Sequence, residues 1–109
     1  MDSLQHVDEI TDLSSQITIL SYRPVFTGPY SYIYRGRIQS TDQTVAIKVL
    51  NTISGTPLHT MQRKVERERR TWGGLRHPNI LPLLGFAQDD ELFQPFGAFI
   101  SPFRIKNII

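Results

Sequence analysis

A helix whose inward stripe contains a carboxylate has few ways to fold, because a charged group is costly to take out of water without a partner. The stretch from Pro57 to Gly74 presents that problem. Leu58, Met61, Val65 and Trp72 recur at helical spacing, and the position that completes the stripe between Val65 and Trp72 is Glu68. Pro57 suits a first turn, Thr56 is placed to cap it, and Gly73 with Gly74 ends it. The rest of the chain must therefore bring a cation to this helix.

Upstream, period-two alternation marks strands. Ile17 and Ile19 begin the series; Tyr30, Tyr32 and Tyr34 are opposed by Ile33; Val45, Ile47 and Val49 are opposed by Ala46, Lys48 and Leu50. Gly28 and Pro29 break the first two runs apart, and the polar run Ser40, Thr41, Asp42, Gln43 precedes the third. After the helix, the HPN that follows Arg76 turns the chain into ILPLLGF and then GAFIS, two apolar runs short enough for strands. The pattern predicts an α+β fold, a five-stranded antiparallel sheet packed on one main helix, over residues 17–109. Residues 1–16 form an acidic leader, either loose or a short helix through Leu4, Val7, Ile10 and Leu13.

Lys48 is the cation best placed to meet Glu68. It stands in TVAIKVL on the strand face opposite Val45, Ile47 and Val49, whereas nearly every other Lys or Arg falls in a loop or on the outer face of the helix. Taken singly, each residue is also explained by a snorkelling lysine and by a glutamate at the solvent edge of a rotated helix. Both explanations together require two coincidences.

Composition narrows the function classes. With 39% hydrophobic and 20% charged residues in 109, the chain has the make-up of one folded domain. A net charge of +2 is no argument for nucleic acid, and the run RKVERERR at 63–70 reads as a solvated helix face with pairs such as Glu66 and Arg70. The absence of cysteine removes disulfides, thiolate metal sites and thiol nucleophiles, and His6, His59 and His77 are too scattered for a metal site. The N-terminal MDSLQHVDEITDLSSQ has acids but no Lys or Arg, unlike a secretory signal, and no stretch could span a bilayer, so an intracellular, cytoplasmic location is expected.

With Lys48 in VAIK, Glu68 on the helix after it, and LRHPNILPLLGF beyond, the stretch from about Leu20 to Phe103 resembles the N-terminal lobe of the eukaryotic-type protein kinases. The leader and PVFTGPYSYIYRGRI look like the tyrosine-kinase-like Ser/Thr branch common in filamentous fungi. The resemblance implies that Lys48 holds the inner phosphates of ATP and that Glu68 orients Lys48. It makes Val25, Ile33 and Ala46 the apolar roof over adenine, Ser101 the guard of the back pocket, and Pro102 with Phe103 the start of the hinge. Trp72 and Leu83 would be the upper members of the apolar spine joining the two lobes.

Two departures bear on these expectations. Aligning Ile33 with the family's valine puts Phe26, Gly28 and Ser31 at the three positions of the glycine-rich loop, so only the middle glycine is kept. The sequence also lacks a His-Arg-Asp catalytic loop and an Asp-Phe-Gly metal motif, as though cut at the hinge. The expectation is a protein kinase lobe with weak ATP binding, inactive by itself, with Mg2+ held only in a complete kinase. The competing expectation is a non-catalytic module or remnant that meets a protein partner through the helix or the exposed underside near Trp72, Leu83 and Phe103.

Overall fold

The computed structural model describes residues 10–29, 31–50, 55–74 and 81–104. Leu4, Val7, Tyr30, Ser54 and the turn at His77 lie outside them. Within the described residues the chain forms β1 (Ile17–Ile19), β2 (Phe26–Thr27), β3 (Ser31–Ile38), β4 (Thr44–Leu50), α1 (Leu58–Gly74), β5 (Gly85–Ala87), a 3-10 turn (Glu91–Phe93) and β6 (Ala98–Pro102). All strand pairings are antiparallel, in the order β1-β3-β4-β6-β5, with β2 also on β3. This is the expected α+β arrangement of a curled sheet with one main helix, as in a kinase N-lobe.

The expected first strand is split in two. Leu20 N and Ser21 N both donate to Arg35 O, at 2.8 and 3.2 Å, and the Ser21 hydroxyl accepts from Arg35 N at 2.9 Å. Two residues opposing one is the pattern of a bulge, and the chain leaves the sheet there until Val25 N donates to Ile33 O at 2.7 Å. Across β3 and β4 the register is continuous from Ser31↔Leu50 to Arg37↔Thr44. Asp42, at φ 62°, closes this hairpin, and its Oδ1 accepts from Arg37 Nη1 at 3.0 Å. Gly36 is needed here for space, since a Cβ would collide with Ile47 Cδ1 and lie 2.9 Å from Thr18 O.

The period-two pattern distributes the apolar residues over two cores. Val45, Ile47 and Val49 join Ile38, Ala98, Ile100, Phe93 and Leu13 on the closed face of the sheet. On the opposite face, Phe86, Phe96 and Phe99 pack under Met61 and Val65 of α1, with Leu50, Trp72 and Leu83 at the margin. The helix begins one residue later than Pro57, whose carbonyl accepts from Thr60 N and Met61 N, and Leu58 is 54% exposed and so lies off the buried stripe. The stripe in fact runs Met61, Val65, Glu68, Trp72.

Candidate functional site

Sheet register sets the site. Ile33, Lys48 and Phe99 are direct cross-strand partners in one row, and Arg35, Ala46 and Ser101 form a parallel row two residues along β4. Direct partners carry their side chains on one face, and this is the face that α1 covers at one end. Ile33, Ala46 and Ser101 are buried, whereas Val25 is 48% exposed beside β2. Past β6, Phe103 N donates to Thr44 O at 3.4 Å, so the chain still follows the sheet at the residue assigned to the hinge.

Lys48 Nζ donates to Glu68 Oε2 at 3.0 Å. The two side chains are 32% and 39% exposed, so water screens the pair and its contribution to stability is about 0–1 kcal/mol. What the pair does is fix where the ammonium sits. The Trp72 indole helps to hold it there, since its ring centroid lies 5.9 Å from Lys48 Nζ, within cation–π range. Trp72 is itself held by its Nε1, which donates to Leu81 O at 2.8 Å, and by a tilted contact with Phe99 at 5.6 Å between ring centroids.

The β2–β3 connection is where a phosphate-holding loop would lie. Gly28 N donates to Ser31 O at 2.9 Å, which closes the turn on itself. A Cβ at Gly28 would stand 3.3 Å from Phe26 Cε2, so the Phe26 ring already borders the glycine's open side. Phe26 pairs with Ile33 and is thereby in line with Lys48. Among the described residues there is no group of three or more His, Cys, Asp or Glu side chains that could hold a metal, and no helix is long and apolar enough to cross a membrane.

The basic run on α1 is arranged differently from the expected pairing. Both carboxylate oxygens of Glu66 accept from Arg69 Nη2, at 2.8 and 3.0 Å, so Arg69 takes the place expected of Arg70. Both spacings put the side chains side by side on a helix; Arg69 has the further contact of its guanidinium with the Phe86 ring, 5.0 Å from the centroid. Phe99 and the Trp72–Lys48 contact are additions to the site that the sequence pattern does not reveal as such. Trp72 carries a signal, since it lies one turn beyond Glu68 on the same face and must therefore neighbour whatever Glu68 holds. Phe99 carries none, because its place opposite Lys48 is a matter of register between strands far apart in the chain.

The curled antiparallel sheet with one main helix has the form of a protein kinase N-lobe. No family model matches the chain. It is similar to an Aurora kinase of Dictyostelium discoideum, 34% identical over 64 residues that cover 59% of this chain and 16% of that protein. It is also similar to the serine/threonine-protein kinase Aurora-2 of Arabidopsis thaliana, 33% identical over 72 residues that cover 63% of this chain and 24% of that protein. The chain thus spans a quarter or less of the length of the curated relatives it matches, and the similarity supports a kinase-like fragment. Neither relative lends support to the tyrosine-kinase-like branch.

Proposed function

We propose that this chain is the ATP-holding lobe of a Ser/Thr protein kinase, extending from residue 17, with Lys48 on the inner phosphates and Glu68 as the residue that orients it. The observation that carries the reading is the 3.0 Å Lys48–Glu68 pair on the sheet face that also presents Ile33, Ala46 and Ser101. A cation beside a buried apolar patch suits a ligand with a flat ring at one end and phosphates at the other. ATP supplies the phosphoryl group in such chemistry; the residues here bind and orient, with Val25, Ile33 and Ala46 against the base, Gly28 beside the phosphates, Ser101 guarding the back pocket and Phe103 at the start of the hinge. Mg2+ belongs to this reading only in a complete kinase; among the described residues no group of three or more His, Cys, Asp or Glu side chains is gathered. No transfer step is assigned to these 109 residues, which contain neither a His-Arg-Asp nor an Asp-Phe-Gly motif.

A second reading, a kinase-like module that binds another protein, is favoured by Phe26 and Ser31 in the positions where glycines would admit phosphate. Thermal-shift titration with ATP separates the two. The nucleotide reading expects stabilisation that is abolished in Lys48→Met and reduced in Glu68→Gln, because the second variant keeps the lysine's charge and loses only its placement. Equal stabilisation in all three proteins would remove Lys48 from the site.

A further inference from the structure

We propose that residues 10–16 act as a strap that positions the Lys48–Glu68 pair by fastening α1 to the edge of the sheet. Edge strands expose unmet backbone groups, and β5 is an edge. Phe86 N donates to Thr11 O at 2.9 Å and Leu13 N donates to Phe86 O at 2.8 Å, a parallel bridge centred on Asp12. Three further bonds hold the strap down: Ser15 N to Asp89 Oδ2 at 2.7 Å, Gln88 N to Ser14 Oγ at 3.1 Å and Gln39 N to Gln16 O at 2.8 Å.

The strap reaches both cores. Leu13, 6% exposed, enters the closed-face core against Gly85, where a Cβ would come within 2.5 Å of Leu13 Cδ1. On the other side, Ile10 packs on the helix-side core and lies over Gly73, whose added Cβ would be 3.1 Å from Ile10 Cγ1 and Cδ1. Ile10 also lines a cleft with Glu66, Arg69 and Arg70, so it rests on one row of α1 that runs from residue 66 to 73. Glu68 and Trp72 sit in that same half of the helix.

A line of contacts leads from the strap to the lysine. Phe86, gripped by its backbone, meets Phe99 at 5.1 Å between ring centroids; Phe99 meets Trp72 at 5.6 Å; Trp72 meets Lys48 at 5.9 Å. Ile10 and Leu13 are therefore positioning residues: they touch no ligand, and they set where Glu68 and Trp72 stand. Any consequence for nucleotide affinity rests on the ATP-holding reading; the placement of α1 does not.

The test uses the full chain without ligand. Trp72 is the single tryptophan and adjoins Gly73, so its emission reads the strap contact directly. Ile10→Ser should shift Trp72 emission and raise amide exchange in the second half of α1 by about tenfold, with the β3–β4 hairpin unchanged. Ile10→Val, which keeps most of the contact, should fall between, and Leu92→Ser, an exposed site elsewhere, should do neither. Unchanged emission and exchange in Ile10→Ser, or an equal change in Leu92→Ser, would overturn the strap. If the exchange effect appears and ATP fails to bind any of these proteins, the strap stands and the nucleotide reading falls.

Discussion

The two faces of β4 are built from the same seven residues and do opposite things. On the closed face Val45 and Ile47 are fully buried and Val49 nearly so, among aliphatic groups and Phe93. On the other face Lys48 keeps a third of its surface and meets a carboxylate and an indole. One strand can thus anchor the fold and display chemistry at once, because successive side chains alternate between its faces. Stability should follow the first face and binding the second.

That division is most open to attack in the closed core. Ile47→Ala should cost about 2–5 kcal/mol in a denaturant titration, since it removes buried methyl groups and leaves a cavity at the centre of the sheet. Gly36→Ala strains the same contact from the neighbouring strand; the added methyl has no room beside Ile47, and a loss of about 1–3 kcal/mol is expected. Lys48→Met, on the far face, should change stability by no more than about 1 kcal/mol, since the pair it breaks is screened. A large destabilisation there would make the pair a structural element and erase the contrast between the faces.

The smallest effect expected is one of acidity. Asp12 accepts from Ser14 N at 3.0 Å, and this bond holds its carboxyl below the usual aspartate range. A carboxylate with a depressed pKa in the fold adds stability that is complete above its unfolded value, about 3.9, and is lost as pH falls through the lower folded value. The parent should thus lose slightly more stability below that pH than Asp12→Asn does, as read by melting temperature against pH.

Much of this architecture is legible in the sequence because it rests on local periodicity. The alternation in TVAIKVL and the stripe interrupted by Glu68 are written in nearby residues, and the need to neutralise an inward carboxylate points to Lys48. What cannot be read depends on distant partners. Ile10 and Leu13 sit at a helical spacing of three, yet the segment is extended, because the Phe86 amide and carbonyl lie on either side of Asp12 and offer it a strand's hydrogen bonds. The break between β1 and β2 turns on the Ser21 hydroxyl reaching Arg35 N, which no pattern of apolar residues reveals. Leu58 falls on the stripe by spacing alone, but it belongs to the exposed first turn.

Whether the Lys48–Glu68 pair serves a ligand while contributing little to the fold can be decided by one calorimetric titration. ATP is titrated into the parent and into Lys48→Met, with both shown to melt within a few degrees of each other. The parent should bind measurably, and the variant should lose at least about tenfold in affinity, or about 1.4 kcal/mol. Identical isotherms for two folded proteins, or no heat from the parent at millimolar ATP, would contradict a ligand-serving pair.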